Sequence, residues 1–151
     1  MHDIAVIIVN YNVKHFLAEC LRSVFAGRHE LNVEVFVVDN NSVDRSAEMV
    51  SDQFPQVRLI ANQYNAGFAA ANNQAIQLAD SKYVLLLNPD TILEEETLSK
   101  CFDFMEKKQD CGALGVKMID GSGKFLPESK RGFPTPFRSL MRLLGLSRLF
   151  P

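Results

Sequence analysis

No apolar run in these 151 residues approaches the roughly 20 needed to span a bilayer. The N-terminus lacks a charged segment leading into an apolar stretch and a small-residue cleavage site, so no export signal is expected. Cysteine is scarce. Cys20, Cys101 and Cys111 are odd in number and have no zinc-ligand spacing. That excludes a disulfide framework, gives no support to cysteine catalysis, and reads as thiols in a reducing, cytoplasmic setting. Acidic residues are missing from one region only. Residues 130–151 hold Lys130, Arg131, Arg138, Arg142 and Arg148 with no acid. Residues 1–129 therefore carry 11 basic against 18 acidic side chains, net −7. So acidic a body speaks against nucleic acid as a partner, since such binding displaces counterions with a basic surface.

Several nucleotide motifs are also missing. No GxGxxG follows the first apolar run and no GxxxxGK[ST] occurs, which excludes a dinucleotide-dependent dehydrogenase and a P-loop ATPase. The glycine-rich, arginine-bearing loop of a sugar nucleotidyltransferase is absent too.

What is present is a strict alternation. Four short runs, Ile4–Val9, Val33–Val38, Val57–Ala61 and Tyr83–Leu87, are rich in β-branched and aromatic residues and read as strands. The first and last are apolar on both faces, the pattern of central strands covered by helices. Helical periodicity fills the gaps. Lys14–Ala26 carries a stripe of Phe16, Leu17, Cys20, Leu21, Val24 and Phe25; Asp44–Phe54 follows Ser42 as N-cap; Ala66–Ala79 follows Asn65. Glu94–Lys107 opens on three acids and ends on lysine, which suits a helix dipole. Ala113–Ile119 reads as a further strand, and Asp120–Gly123 as a hairpin turn returning through Lys124–Leu126. The fold class is α/β, with a mostly parallel central sheet between helical layers.

Ligands of such sheets bind beyond the carboxyl ends of the strands. Each of the four strands runs into a polar cluster there: Asn10-Tyr11-Asn12, Asp39-Asn40-Asn41-Ser42, Asn62 with Asn65-Ala66-Gly67, and Asn88-Pro89-Asp90. Asn41, Ser42 and Asn65 read first as caps and turn formers. Asp39 lies at the strand end ahead of the capping residues and reads as a ligand. Tyr11 either covers the sheet edge or offers a stacking surface for a base. Asp90 is either an Asx-turn residue or the mount for a divalent cation, Mn²⁺ or Mg²⁺, bridging a diphosphate; such ions are commonly held by one or two carboxylates plus phosphates and water. The buried strand behind Asp90 favours the cation.

The blocks IAVIIVNYN, EVFVVDNNSVDRS, NAGFAAANN and YVLLLNPDT, in this order, resemble family 2 glycosyltransferases, and most closely their rhamnosyltransferase-like bacterial branch. The resemblance covers roughly residues 3–136. It implies a GT-A fold, an inverting mechanism and a nucleoside diphosphate sugar donor held with a divalent metal. By position it puts Tyr11 in the base pocket, Asp39 on the base, and Asn88-Pro89-Asp90 at the family's D-x-D, with Asn88 toward the ribose and Asp90 toward the metal and diphosphate. Asn10, Asn41, Asn65 and Gly67 complete the implied donor site. Three departures stand out: Asn88 replaces the first acid, Ala75 and Ser81 stand where many relatives have glycine, and the acceptor half with its catalytic carboxylate has no match before Pro151.

Two domains are expected: a nucleotide-sugar-binding part over 1–136 and a basic amphipathic tail over 137–151 leading to an acceptor-binding part. The tail has two readings. It either contacts an anionic inner membrane face near a glycan or lipid-linked acceptor, or packs on protein, as the missing half or a neighbouring chain in a homo-oligomer. The implied activity is sugar transfer to a hydroxyl in bacterial cell-surface polysaccharide synthesis. The rival reading is a non-catalytic nucleotide-binding or interaction module.

Overall fold

The computed structural model describes residues 1–28 and 30–126. The chain divides into two compact units, Met1–Gly112 and a second beginning at Ala113. The boundary expected at 136/137 and the whole tail lie outside the described residues.

In the first unit, strands and helices alternate as β1 (His2–Asn10), α1 (Lys14–Ala26), β2 (Val33–Asp39), α2 (Ser46–Gln53), β3 (Arg58–Ala61), α3 (Phe68–Ile76), β4 (Ser81–Leu87) and α4 (Thr97–Lys107). All strand pairs are parallel and the order across the sheet is β3-β2-β1-β4. The chain steps outward from β1 to β3, then returns to the other side of β1. The reversal falls between β1 and β4, so a crevice is expected where those two strands end.

The two sheet faces are covered unequally. On one, Ile4, Val6, Ile8, Val35, Val37 and Leu87 pack under Leu17, Leu21 and Val24 of α1, Met49 and Val50 of α2, and Leu98 of α4. On the other, Ala71 and Ala75 of α3 meet Ala5, Ile7, Val9, Phe36 and Val38; the small alanines let that helix lie close to the sheet. Because α3 lies over β1 and β2, the same face of β4 has no helix over it among the described residues. Val84 and Leu86, in register with Ala5 and Ile7, are 44% and 48% exposed. The expectation that Tyr83–Leu87 is covered on both faces is therefore corrected: its period is two, and among the described residues it is an edge strand. Phe16 likewise leaves the buried stripe of α1 and is 61% exposed.

Near the amino ends of the strands, buried Glu34 accepts from Asp80 N–H (2.8 Å) and from Arg58 (3.3 Å), tying β2 to β3 and to the entry of β4. Among the described residues of the second unit, 113–118 form no strand. An antiparallel bridge of Ile119 with Phe125 forms there, flanked by Asp120 N–H to Lys124 O (2.8 Å) and Leu126 N–H to Met118 O (3.0 Å), so the expected turn exists with a bridge in place of the expected strand.

Phe36 is fully buried between the α3 alanines and the Arg58 guanidinium, 4.7 Å above its ring. Phe36→Ala is expected to lower unfolding free energy by about 3–5 kcal/mol in urea melts, whereas Lys82→Ala, at a surface pair with Glu106, leaves the midpoint unchanged.

Candidate functional site

The ends of β1 and β2 are joined by hydrogen bonds between their loops. Asn10 Nδ2 donates to Asp39 Oδ1 (2.7 Å) and to Ser42 Oγ (3.0 Å). Ser42 N–H donates to Asp39 Oδ2 (2.9 Å), so both carboxylate oxygens of Asp39 are engaged. One step further out, Asn12 N–H donates to Ser42 Oγ (2.9 Å), and Asn12 Oδ1 accepts from Val43 N–H (2.8 Å). The last tie is Lys14 N–H to Asp44 Oδ2 (2.8 Å). Asn12 and Asn41 hold φ of 57° and 63°, left-handed values that asparagine tolerates well.

This changes the reading of several residues. Ser42 does not cap α2; its hydroxyl serves the β1 loop instead. The helix begins at Ser46 after Arg45, itself in the left-handed region, and Asp44 precedes it. Burial works against the Asp44 carboxylate, but the Ser46 hydroxyl and the Lys14 and Ser46 amides hold it below the usual carboxylate range. Asp39 is an organiser of the turn as well as a ligand candidate. Asn10 is fully buried, and its Oδ1 has no hydrogen-bond partner, an unusual cost at a strand end.

The third cluster is held by side-chain amides. Asn62 and Gln74 exchange hydrogen bonds (3.0 and 3.1 Å), Asn62 also donates to Asn40 Oδ1 (2.9 Å), and Asn40 donates to Gly67 O (3.4 Å). Asn65 Oδ1 accepts from Gly67 N–H (2.9 Å). Gly67, at φ +81°, then turns the chain into α3 two residues later than the expected start. Asn65 is thus a turn former rather than a cap. Asn40 and Asn62 stood in the polar clusters of the sequence without a role of their own, whereas the Gln74 amide, on α3, escaped the sequence reading.

Asn88 and Asp90 leave β4 exposed, and Tyr11 is 51% exposed beside them in the strand order. Among the described residues no hydrogen bond or ion pair engages the Asp90 carboxylate. Behind it lies Cys20 of α1, whose thiol donates to Asn88 O at 3.6 Å. Burial and then the Asp90 charge push that thiol up to about 12, while the Thr91 amide pulls the other way. The three glutamates expected to open α4 precede it instead, all exposed.

Among the described residues no group of three or more His, Cys, Asp or Glu could hold a metal alone. An exposed carboxylate at Asp90, unpaired among the described residues, does fit a cation that arrives with a diphosphate, whose oxygens and water complete the shell.

Residues 5–150 match Glycosyl transferase family 2. The chain belongs to this family. A poly(ribitol-phosphate) β-glucosyltransferase of Bacillus spizizenii is 29% identical over 80% of this chain and 20% of its own length. Staphylococcus aureus TarS 1-349, solved with UDP-GlcNAc, superposes with a TM-score of 0.68 at 26% identity, over 88% of this chain and 37% of that one. A Pyrobaculum calidifontis mannosyltransferase, solved with GDP-Man and Mn²⁺, gives 0.61 at 21% identity over 78% and 36%, a likeness of fold alone. This family 2 chain spans less than half the length of these and similar curated relatives. Its α/β sandwich is the GT-A fold that the resemblance implied.

For Asp44 the sign is fixed by its lowered pKa. The folded state then holds its proton less tightly than the unfolded chain. The stability this carboxylate contributes is present above about pH 4 and lost as pH falls through the folded value. The difference in urea midpoint between the wild type and Asp44→Asn is expected to shrink between about pH 6 and about pH 3.

Proposed function

We propose that this chain is the donor-binding part of an inverting glycosyltransferase, moving a sugar from a nucleoside diphosphate to an acceptor hydroxyl. The observation that carries this reading is the placing of Asn10, Asp39, Asn88 and Asp90 at the carboxyl ends of β1, β2 and β4, on both sides of the strand-order reversal. The sugar nucleotide bound by TarS supports the same class of ligand here.

In this proposal the zipped half of the edge reads the nucleoside. Asp39 is oriented by Asn10 and Ser42, and its remaining lone pairs accept from the base; Tyr11 offers its ring for stacking. Asn41, Asn65 and Gly67 shape the loops around that pocket rather than supplying charge. The β4 half manages the diphosphate. Asn88 faces the ribose, and Asp90 holds a divalent cation, Mn²⁺ or Mg²⁺. A bound cation supplies positive charge against the leaving diphosphate. What the chain contributes is a fixed carboxylate, so little reorganisation is needed as charge develops. The base that deprotonates the acceptor belongs to the acceptor-binding part that the resemblance implies, and Glu94, Glu95 and Glu96 are not assigned to it. We further assign the chain to the rhamnosyltransferase-like branch, acting on a glycan or lipid-linked acceptor in bacterial cell-surface polysaccharide synthesis at the cytoplasmic side.

Calorimetric titration with UDP, dTDP and GDP tests the donor site. At least one is expected to bind, more tightly with Mn²⁺. Asp90→Ala should remove most of the metal enhancement, while Asp39→Ala should weaken binding about ten- to a hundredfold with or without metal. Full metal enhancement in folded Asp90→Ala would refute the assignment of Asp90.

A further inference from the structure

The segment from Asn88 to Glu96 has no strand or helix of its own. Its internal backbone bonds are a single turn, Thr91 N–H to Asn88 O (3.2 Å); at its end Thr97 N–H reaches Glu94 O (2.9 Å). Something else must fix its course. Two residues of α1 and its C-cap, Gly27, meet it. Cys20, wholly buried, donates to Asn88 O at 3.6 Å. Ser23 Oγ accepts from Leu93 N–H at 3.0 Å while donating to Cys20 O at 2.7 Å, so its hydroxyl is used in both directions. Gly27 comes so close that an added Cβ would stand 3.0 Å from Glu95 O and 3.5 Å from Glu94 O.

Gly27 caps the helix at φ −88°, a value any residue adopts. Its dihedral therefore does not require glycine; the close approach of the Glu95 carbonyl favours it, because a Cβ there would force that carbonyl, and Ser23 O at 3.3 Å, to give by a few tenths of an ångström. Positions 20, 23 and 27 follow helical spacing, so the three lie on one stripe of α1. They touch the segment at its beginning, middle and end.

We propose that the Cys20-Ser23-Gly27 stripe of α1 is the seat that positions the Asn88–Glu95 segment and thereby sets where Asp90 presents its carboxylate. These are positioning residues: they act through the loop backbone and touch no substrate. The proposal rests on the reading of Asp90 as the residue that faces a cation-bound diphosphate. It also gives the β4 half of the site a mount that the half-bare strand does not provide. A thiol suits the first contact, because it is small, apolar enough for the core, and still donates to a carbonyl.

Two measurements on the 151-residue chain test it. The first is the ratio of nucleotide affinities with and without Mn²⁺, by calorimetry, using whichever of UDP, dTDP and GDP the wild type binds best. A residue needed only for folding would change both affinities alike; a positioning residue lowers the ratio. Cys20→Val, Ser23→Ala and Gly27→Ala are each expected to reduce the ratio by at least about fivefold, and Cys20→Ser, which keeps the donor, to stay within about twofold of wild type. The second is hydrogen exchange at Leu93. Its amide should exchange at least about tenfold faster in Ser23→Ala, with α1 amides unchanged. If Cys20→Val or Gly27→Ala fails to fold, Ser23→Ala and the exchange measurement decide alone. Wild-type ratios in the folded stripe variants, beside a lost enhancement in Asp90→Ala, would overturn the seat and leave the donor reading intact. Retained enhancement in Asp90→Ala, or no nucleotide binding by folded wild type, would overturn the reading beneath it and the seat together.

Discussion

The hydrogen bond from Asn10 to Asp39, 2.7 Å long and buried, is the constraint on which the rest of the site depends. Two polar side chains at the ends of adjacent central strands would each lose several hydrogen bonds to water if buried alone. Paired, they close the sheet edge and leave the loops only one course. Ser42, Asn12 and Lys14 then extend the pairing outward, so the chain after β1 and the chain after β2 become one rigid rim. Asn40 N–H to Asn10 O and Asn62 N–H to Asp39 O carry the backbone ladder one residue past the strands, joining the third loop to the same rim.

The other half of the site is built differently. At β4 there is a strand on one side only among the described residues, and one of its faces is open. Rigidity at Asn88-Pro89-Asp90 comes from beneath, through α1, instead of from a neighbouring loop. The physical division is sensible for the proposed chemistry. A base is recognised by directional hydrogen bonds that need a fixed, enclosed partner, whereas a diphosphate with its cation needs an accessible carboxylate held at one place. The helix α1 serves both halves, since Lys14 at its start joins the zipper and Cys20, Ser23 and Gly27 hold the exposed segment.

Strand existence, their order in the chain and the convergence of four polar clusters were legible because short β-branched runs separated by helical periods admit few other folds. Less legible were the helix starts. Asp44 looked like a first-turn acid, yet it bonds the backbone of Lys14, thirty residues away, and no local pattern announces that. Glu94–Glu96 looked like a dipole-compensating turn, but the segment is drawn along α1 before the helix can begin. The apolar run Tyr83–Leu87 suggested two covered faces, and Leu86 is open because α3 lies over β1 and β2 rather than β4. Cys20 passed as a member of an apolar stripe, and Ser23 was given no role. The usable signal was a thiol, a hydroxyl and a glycine at helical spacing on a face that otherwise wants large aliphatic side chains.

The central claim is that one nucleoside diphosphate lies across both halves of this edge, with its cation on Asp90. The most direct test is a crystal structure with the nucleotide and Mn²⁺, using the anomalous signal of manganese to locate the ion. The account predicts manganese about 2 Å from an Asp90 carboxylate oxygen, with the base beside Asp39 and Tyr11. Manganese and nucleotide found together elsewhere, such as the groove between α1 and α2 lined by Lys14, His15, Arg22 and Met49, would contradict it.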